Sequence, residues 1–228
     1  MRALLLLFLI PSTLLAQDWN MMDVVPVVKG KYEPWLGNET KRQDYHNAIC
    51  KVELSDLTGA TGYVVNNTYV ITCSHVVAKH RTAKCRFLTK QVISAVVVHN
   101  DATADLAVLR LRNVAPASLK VAKRMPRIGT PLEVCGYPYF DPMRLMHWKS
   151  PVIGVTLYRK TDPLYLRGAV VSGQSGGPIL NENHEVVGMV LGGHLQKWVP
   201  MPKTRDGKVL LNYPIRAGNY TQLPRYVR

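Results

Sequence analysis

From residue 48 onward the chain is written in short apolar runs, none with the spacing of a helix. Six follow in quick succession over residues 48–54, 62–65, 69–72, 83–88, 92–99 and 107–111, each rich in Val, Ile, Leu or Tyr and bounded by Gly, Asn or Asp. A polar stretch over residues 113–128, with Pro116 and Pro126, separates them from a second series at 131–135, 152–158, 164–170, 178–180, 186–191 and 209–214. Runs of this length with turn residues between them pair as antiparallel strands, and closing the sheet into a barrel removes its exposed edges. The pattern predicts an all-β chain of two six-stranded antiparallel barrels, 48–112 and 129–216, joined by the linker 113–128 and followed by a tail, 217–228.

Three polar residues stand at the boundaries of these runs. Tyr69-Val70-Ile71-Thr72-Cys73-Ser74-His75-Val76-Val77 ends an apolar strand in a histidine. Asp105-Leu106-Ala107-Val108-Leu109-Arg110-Leu111 opens one with an aspartate, and Val171-Ser172-Gly173-Gln174-Ser175-Gly176-Gly177-Pro178-Ile179 sets a serine in a glycine-rich turn. Serine is a weak nucleophile at neutral pH and needs a base within hydrogen-bond reach. His75 suits that task, since its ordinary pKa lets it take a proton and return it. Asp105 would hold the other ring nitrogen and stabilise the imidazolium. The backbone N–H groups of Gly173 and Ser175 would receive the charge that develops on an attacked carbonyl oxygen.

Competitors are weaker. Asp101 lies close to Asp105 but belongs to the Asn100-Asp101 turn and has no apolar strand directly after it. His46, His80, His99, His147, His184 and His194 read as ordinary structural or surface histidines. A Gly-x-Ser-x-Gly also marks the nucleophile turn of α/β-hydrolases, where the order is serine, acid, histidine. Here the only acids between Ser175 and His194 are Glu182 and Glu185, and the upstream half shows no alternation of strand and helix. The order His, Asp, Ser puts two members in the first half and one in the second, so the site is expected in the cleft between the barrels.

The first sixteen residues stand apart. Met1-Arg2 gives a positive start, residues 3–15 are almost wholly apolar, and Leu14-Leu15-Ala16 precedes the polar Gln17-Asp18. That is the layout of a secretory leader cut after Ala16, and the run is shorter than the ~20 residues that span a bilayer as a helix. The expectation is an exported chain, secreted or periplasmic, with residues 17–47 as an irregular N-terminal extension. The formal charge of +14 falls by one when Arg2 leaves, and bases gather after His194 at Lys197, Lys203, Arg205, Lys208, Arg216, Arg225 and Arg228. Such a surface attracts anionic surfaces in general, but no zinc-finger spacing, RNA-binding signature or basic helix points to a specific nucleic acid. Nothing in the sequence specifies an oligomer.

An oxidising compartment permits disulfides among Cys50, Cys73, Cys85 and Cys135. Local pairing of Cys73 with Cys85 would leave Cys50 for Cys135, with four buried free thiols as the alternative. No Cys-x-x-Cys occurs, so no metal site and no cofactor are expected.

The motifs together resemble those of the trypsin/chymotrypsin-fold serine peptidases, and most closely the HtrA-like (DegP-like) and glutamyl-endopeptidase-like branches. Gly62 to Val77, with Tyr69-Val70-Ile71-Thr72 and His75-Val76-Val77, is similar to the histidine motif of HtrA proteases. Asp105 to Leu111 resembles their aspartate strand, Gly129 to Pro138 their Gly-x-x-x-x-x-x-Gly-x-Pro strand, Gly173 to Val190 their serine segment, and Tyr213-Pro214-Ile215 their final strand. The resemblance implies a serine endopeptidase with catalytic His75, Asp105 and Ser175, an oxyanion hole from Gly173 and Ser175, and a polypeptide substrate. It also implies a specificity pocket walled by residues 167–172 and 188–193, with Ala169, Leu191 and Gly193 against the substrate. Ala169 stands where a trypsin-like pocket carries its charge-selecting acid, so a medium-sized apolar side chain is expected there. His194 and Lys197 are the residues that would favour glutamate instead.

Departures are informative. Only twelve residues follow Arg216, so no PDZ domain is expected after the protease. Gln174 replaces the acid that in trypsin-like enzymes pairs with a newly cut N-terminus, so activity is expected without such a cut. A catalytically inactive binding protein of this fold and a small viral or phage protease are the alternative readings.

Overall fold

The computed structural model describes residues 43–124, 126–127, 129–139, 144–155, 164–166, 170, 172–193 and 215–218. The expected leader and most of the extension, the run 209–214, Ala169, His194 and Lys197 lie outside the described residues.

Strands β1 (Ile49–Glu53), β2 (Gly59–Val65), β3 (Tyr69–Thr72), β4 (Thr82–Phe87), β5 (Val92–Asp101) and β6 (Leu106–Leu111) form a closed antiparallel barrel in the order β1-β2-β3-β6-β5-β4. Alternation places one side chain in two inside: on β4 Ala83, Cys85 and Phe87 are buried while Thr82 and Lys84 face water. β2 breaks the alternation, with buried residues on both faces from Ala60 to Val65. One face fills the barrel and the other meets the second half of the chain. At Ala107–Leu109 on β6 three successive residues are fully buried.

A second closed barrel is built from β7 (Pro131–Gly136), β8 (Met146–Val155), β9 (Leu164–Leu166), β10 (Pro178–Leu180), β11 (Val186–Gly193) and β12 (Ile215–Gly218), ordered β10-β11-β12-β9-β8-β7. β8 starts at Met146 rather than at the expected 152, because Pro151 marks a change of partner and not a strand end. Residues 146–151 pair with β7, and from Val152 the strand pairs with β9. Leu132, Val134, Leu166, Val170, Ile179, Val187 and Val190 pack as its core, with Ala122 of the linker.

The linker is an ordered crossing. Leu119 N–H donates to Val64 O at 2.9 Å, Ala122 N–H to Val186 O at 2.9 Å, and Val186 N–H to Lys120 O at 2.8 Å. Amides buried between two barrels need such partners, which is why this polar stretch still buries Ala115, Leu119 and Ala122.

The four cysteines correct the expected pairing. All are buried free thiols. β3 and β4 follow each other in sequence but are not neighbours in the barrel, so Cys73 and Cys85 do not meet. Cys73 instead donates to Val190 O at 3.3 Å. Cys50 and Cys135 belong to different barrels, and the thiol beside Cys50 is that of Cys85, on the strand paired with β1.

Ahead of β1, a 3-10 helix (Asp44–Ala48) ties the start of the first barrel to the second. The carboxylate of Glu133 on β7 accepts from Tyr45 Oη at 2.8 Å and contacts His46 Nε2 at 3.2 Å and His147 Nδ1 at 2.8 Å. Gln43 N–H donates to His46 Nδ1 at 3.1 Å, so His46 presents its N–H to Glu133 from Nε2. Tyr45 also stacks on His184, with ring centroids 4.0 Å apart. Burial, the largest single influence, pushes the Glu133 carboxyl up, but the bonds from His147, His46 and Tyr45 outweigh it and hold it well below the ordinary range.

Two predictions arise from this fold. A carboxylate with a lowered folded pKa contributes stability above its unfolded value of about 4.3 and loses that contribution as pH falls below it. Thermal unfolding should therefore fall steeply on acidification through pH 4, whereas Glu133→Gln should be destabilised by about 2 kcal/mol at pH 7 and show a flatter acid limb. An equal acid slope in both proteins would contradict the role of Glu133. Separately, the fully buried Tyr63 hydroxyl has no hydrogen-bond partner among the described residues. Since a buried orphan costs about 1–3 kcal/mol, Tyr63→Phe should raise stability by about 1 kcal/mol in a denaturant titration; a loss would show that the hydroxyl is satisfied.

Candidate active site

His75 is placed by an abrupt change of backbone at the end of β3. Cys73, with φ −76° and ψ 148°, still runs extended and caps a one-turn helix, α1 (Ser74–Val77), which stops at Ala78 with φ 42°. Within this turn the backbone N–H of His75 donates to Asp105 Oδ1 at 3.0 Å, and its ring Nδ1 lies 2.8 Å from Asp105 Oδ2. One carboxylate thus fixes both the backbone and the ring of the histidine. The Nδ1–H tautomer leaves the Nε2 lone pair for a proton.

Asp105 reaches this position from a strained backbone. Its φ of 52° is unusual for a residue other than glycine and costs about 1 kcal/mol, which the two His75 contacts help to offset. It directly precedes β6, whose buried run anchors it. Asp101 is occupied locally, accepting the N–H of Thr103 at 2.9 Å and of Ala104 at 3.0 Å. Of the two aspartates weighed from sequence, Asp105 is the one brought to His75.

The serine turn runs from Ser172 into β10. Gly173 has φ 94° and Gly176 φ 85°, both in the region that disfavours a side chain. A Cβ on Gly176 would strike Thr61 O and Thr72 Oγ1 of the first barrel, so only glycine allows the approach. Ser172 C=O accepts from Tyr139 N–H at 2.7 Å and Gln174 C=O from Gly177 N–H at 3.0 Å. A planar trans peptide points its N–H opposite to its C=O, so these bonds direct the Gly173 N–H away from Tyr139 and the Ser175 N–H away from Gly177. Neither N–H donates to another group among the described residues. Gln174 is buried beneath the turn.

Of the expected pocket residues, Leu191 lies half-buried near the end of β11, Gly193 pairs with Ile215 of β12, and Ala169 is outside the described residues. A groove of about 410 Å³ opens beside Gly173, lined also by Leu57, Gly59, Ala60, Tyr137 and Tyr139. Leu57 and Tyr139 project into solvent at its rim.

Among the described residues, two clusters bring metal-ligating residue types together, each within 4.8 Å: Cys73, His75 and Asp105, and His46, Glu133 and Cys135. Their chemistry suits protons better than an ion. In the first, burial and then the charge of Asp105 push the Cys73 thiol up, and it acts as a donor. In the second, a cation on His46 Nε2 would need the tautomer that the Gln43 N–H excludes, and burial and then Glu133 push the Cys135 thiol up.

The sequence had marked His46, His147 and His184 only as structural histidines, and it singled out neither Thr61 nor Glu133. Thr61 reads as one more β-branched strand residue. Glu133 was detectable as the one acid in the apolar run that opens the second barrel.

The chain is similar to known serine proteases. The serine protease Rv3671c of Mycobacterium tuberculosis is 29% identical over 142 residues, 58% of this chain and 35% of that protein. A probable periplasmic DegP-like serine endoprotease of Hahella chejuensis is 29% identical over 58% of this chain and 29% of its own. A glutamyl endopeptidase of Staphylococcus epidermidis is 26% identical over 58% of this chain and 54% of its own. The chain therefore spans about a third of the length of Rv3671c. The crystal structure of the inactive form of that protease superposes with a TM-score of 0.59 at 25% identity, covering 65% of this chain and 79% of the other. The sequence profile of the trypsin-like peptidase domain matches residues 60–189, more than half of the chain and the stretch that holds His75, Asp105 and Ser175. The chain belongs to the trypsin-like peptidase domain family.

Proposed function

We propose that this protein is an exported serine endopeptidase that works through His75, Asp105 and Ser175. The observation that carries the reading is a paired geometry: Asp105 holds His75 by backbone and ring, while the Gly173 and Ser175 N–H groups of the serine turn donate to nothing else among the described residues. In the reaction, His75 Nε2 takes the proton of Ser175 Oγ as the oxygen attacks the peptide carbonyl. The charge passes to the carbonyl oxygen, which the N–H groups of Gly173 and Ser175 receive. Collapse expels the amine, which collects the proton from His75 and leaves an acyl-serine. Water, deprotonated by the same imidazole, hydrolyses that ester. The Asp105 carboxylate orients the ring and stabilises the imidazolium formed at each proton transfer.

The polypeptide substrate would run past Gly173 into the groove beside it. Export is supported by the apolar N-terminal run and by the periplasmic designation of the DegP-like relative.

Ser175→Ala should leave the fold intact and lower kcat by a factor on the order of 10⁶, with loss of labelling by a fluorophosphonate probe. Asp105→Asn should be nearly as damaging, because the amide would hold the wrong tautomer, whereas Asp101→Asn should remain active. Wild-type turnover in Ser175→Ala or Asp105→Asn would refute the assignment.

The specificity pocket is proposed to take a medium-sized apolar side chain before the scissile bond. Ala169 offers no carboxylate to a substrate Lys or Arg, and an unpaired cation buried there would cost several kcal/mol. Each methylene of a Val, Leu or Met side chain gains ~0.8 kcal/mol on burial. A peptide-library digest at neutral pH should show Val, Leu or Met before the cut. Domination by glutamate would instead give His194 and Lys197 the role of reading a carboxylate.

A further inference from the structure

We infer that Thr61 is the positioning residue of the oxyanion turn, taking the part that a newly cut N-terminus plays where the residue before the serine is acidic. The inference rests on the proposed triad.

Thr61 lies on β2 in the first barrel and is fully buried, yet each of its polar groups is used. Its N–H donates to Ser175 O at 2.9 Å, and its hydroxyl donates to Gly173 O at 2.8 Å. The same hydroxyl oxygen accepts from Tyr137 N–H at 2.8 Å, and Thr61 C=O accepts from Thr72 Oγ1 at 2.8 Å. Four consecutive carbonyls of the serine turn are thereby pinned. Tyr139 N–H holds that of Ser172, Thr61 those of Gly173 and Ser175, and Gly177 N–H that of Gln174. Two of the four belong to one side chain and its own amide.

The peptide between Gly173 and Gln174 links the two peptides that carry the proposed oxyanion donors. If it rotates, ψ of Gly173 and φ of Gln174 change together, and a glycine has little intrinsic preference to restore its own torsion. The Thr61 hydroxyl bars that rotation. Through Tyr137 it also steadies the segment whose Tyr139 N–H orients the first donor plane. Through Thr72 the same residue reaches β3, the strand that leads to His75. Gln174 is neutral and has no charge with which to recruit a free amino group, so the turn needs a device of this kind.

The test compares Thr61→Val, which keeps the shape and removes the hydroxyl, with Thr61→Ser, which keeps the hydroxyl. Kinetics are read on the intact chain as kcat and KM and as the rate of fluorophosphonate labelling, whose tetrahedral adduct also uses the hole. Thr61→Val should lose about ten- to a hundredfold in kcat and in labelling rate, with KM within about threefold, whereas Thr61→Ser should stay within about threefold in all three. If Thr61→Val does not fold, Thr61→Ala, which adds no apolar bulk at the seam, should show the same split. Wild-type labelling rates in a folded variant without the hydroxyl, equal losses in the serine variant, or a rise in KM alone would overturn the inference. Absence of labelling at Ser175 in the wild type would instead remove the triad itself.

Discussion

The contact on which the catalytic geometry depends is the seam where Gly176 packs its backbone against Thr61 and Thr72. Two closed barrels present convex surfaces, and convex surfaces meet over a small area. Here that area is occupied by backbone from both sides, which leaves no room for a side chain at Gly176 and gives direct bonds between the barrels. β2 is buried on both faces for this reason. Because the seam lies between the strand leading to His75 and the turn carrying Ser175, the packing that joins the barrels also sets the site. Each buried polar group there is worth more for being satisfied than the mean hydrogen bond, since an orphan at the same place would cost about 1–3 kcal/mol.

A second polar contact holds the barrels at the side of the N-terminal helix. Glu133 draws together Tyr45 and His46 of the 3-10 helix and His147 of β8, and His184 stacks on Tyr45. This network anchors the 3-10 helix ahead of β1 on the second barrel. It does so without a newly freed amino group, in keeping with a neutral residue at position 174. With the linker bonds at Leu119 and Ala122, the barrels are joined at three places distributed along the sequence.

Much of this was legible in the sequence, for a reason specific to strand proteins. His75, Asp105 and Ser175 each sit where an apolar run starts or stops, and a polar residue at such a boundary stands out. β3 and β10 coincide with the runs read at 69–72 and 178–180 for the same reason. What stayed hidden depends on pairing between distant strands. The run read from 152 missed the first half of β8, because the change of partner after Pro151 leaves no local trace. The expected Cys73–Cys85 pair failed because neighbours in sequence are not neighbours in a barrel ordered β1-β2-β3-β6-β5-β4. Thr61 passed as a strand former because its importance lies in a carbonyl 112 residues away. Residue type alone does not report such a contact.

On the proposed mechanism the oxyanion turn is set by the fold and is competent in the intact chain. The most direct measurement is a crystal structure of the uncleaved protein treated with a peptide boronate. The boron should bond to Ser175 Oγ, and one boronate oxygen should lie about 2.7–3.1 Å from both the Gly173 and the Ser175 amide nitrogens. Gly173 O should remain on the Thr61 hydroxyl. A boronate bound elsewhere, or a Gly173 peptide rotated out of the hole until the chain is cut upstream, would contradict it.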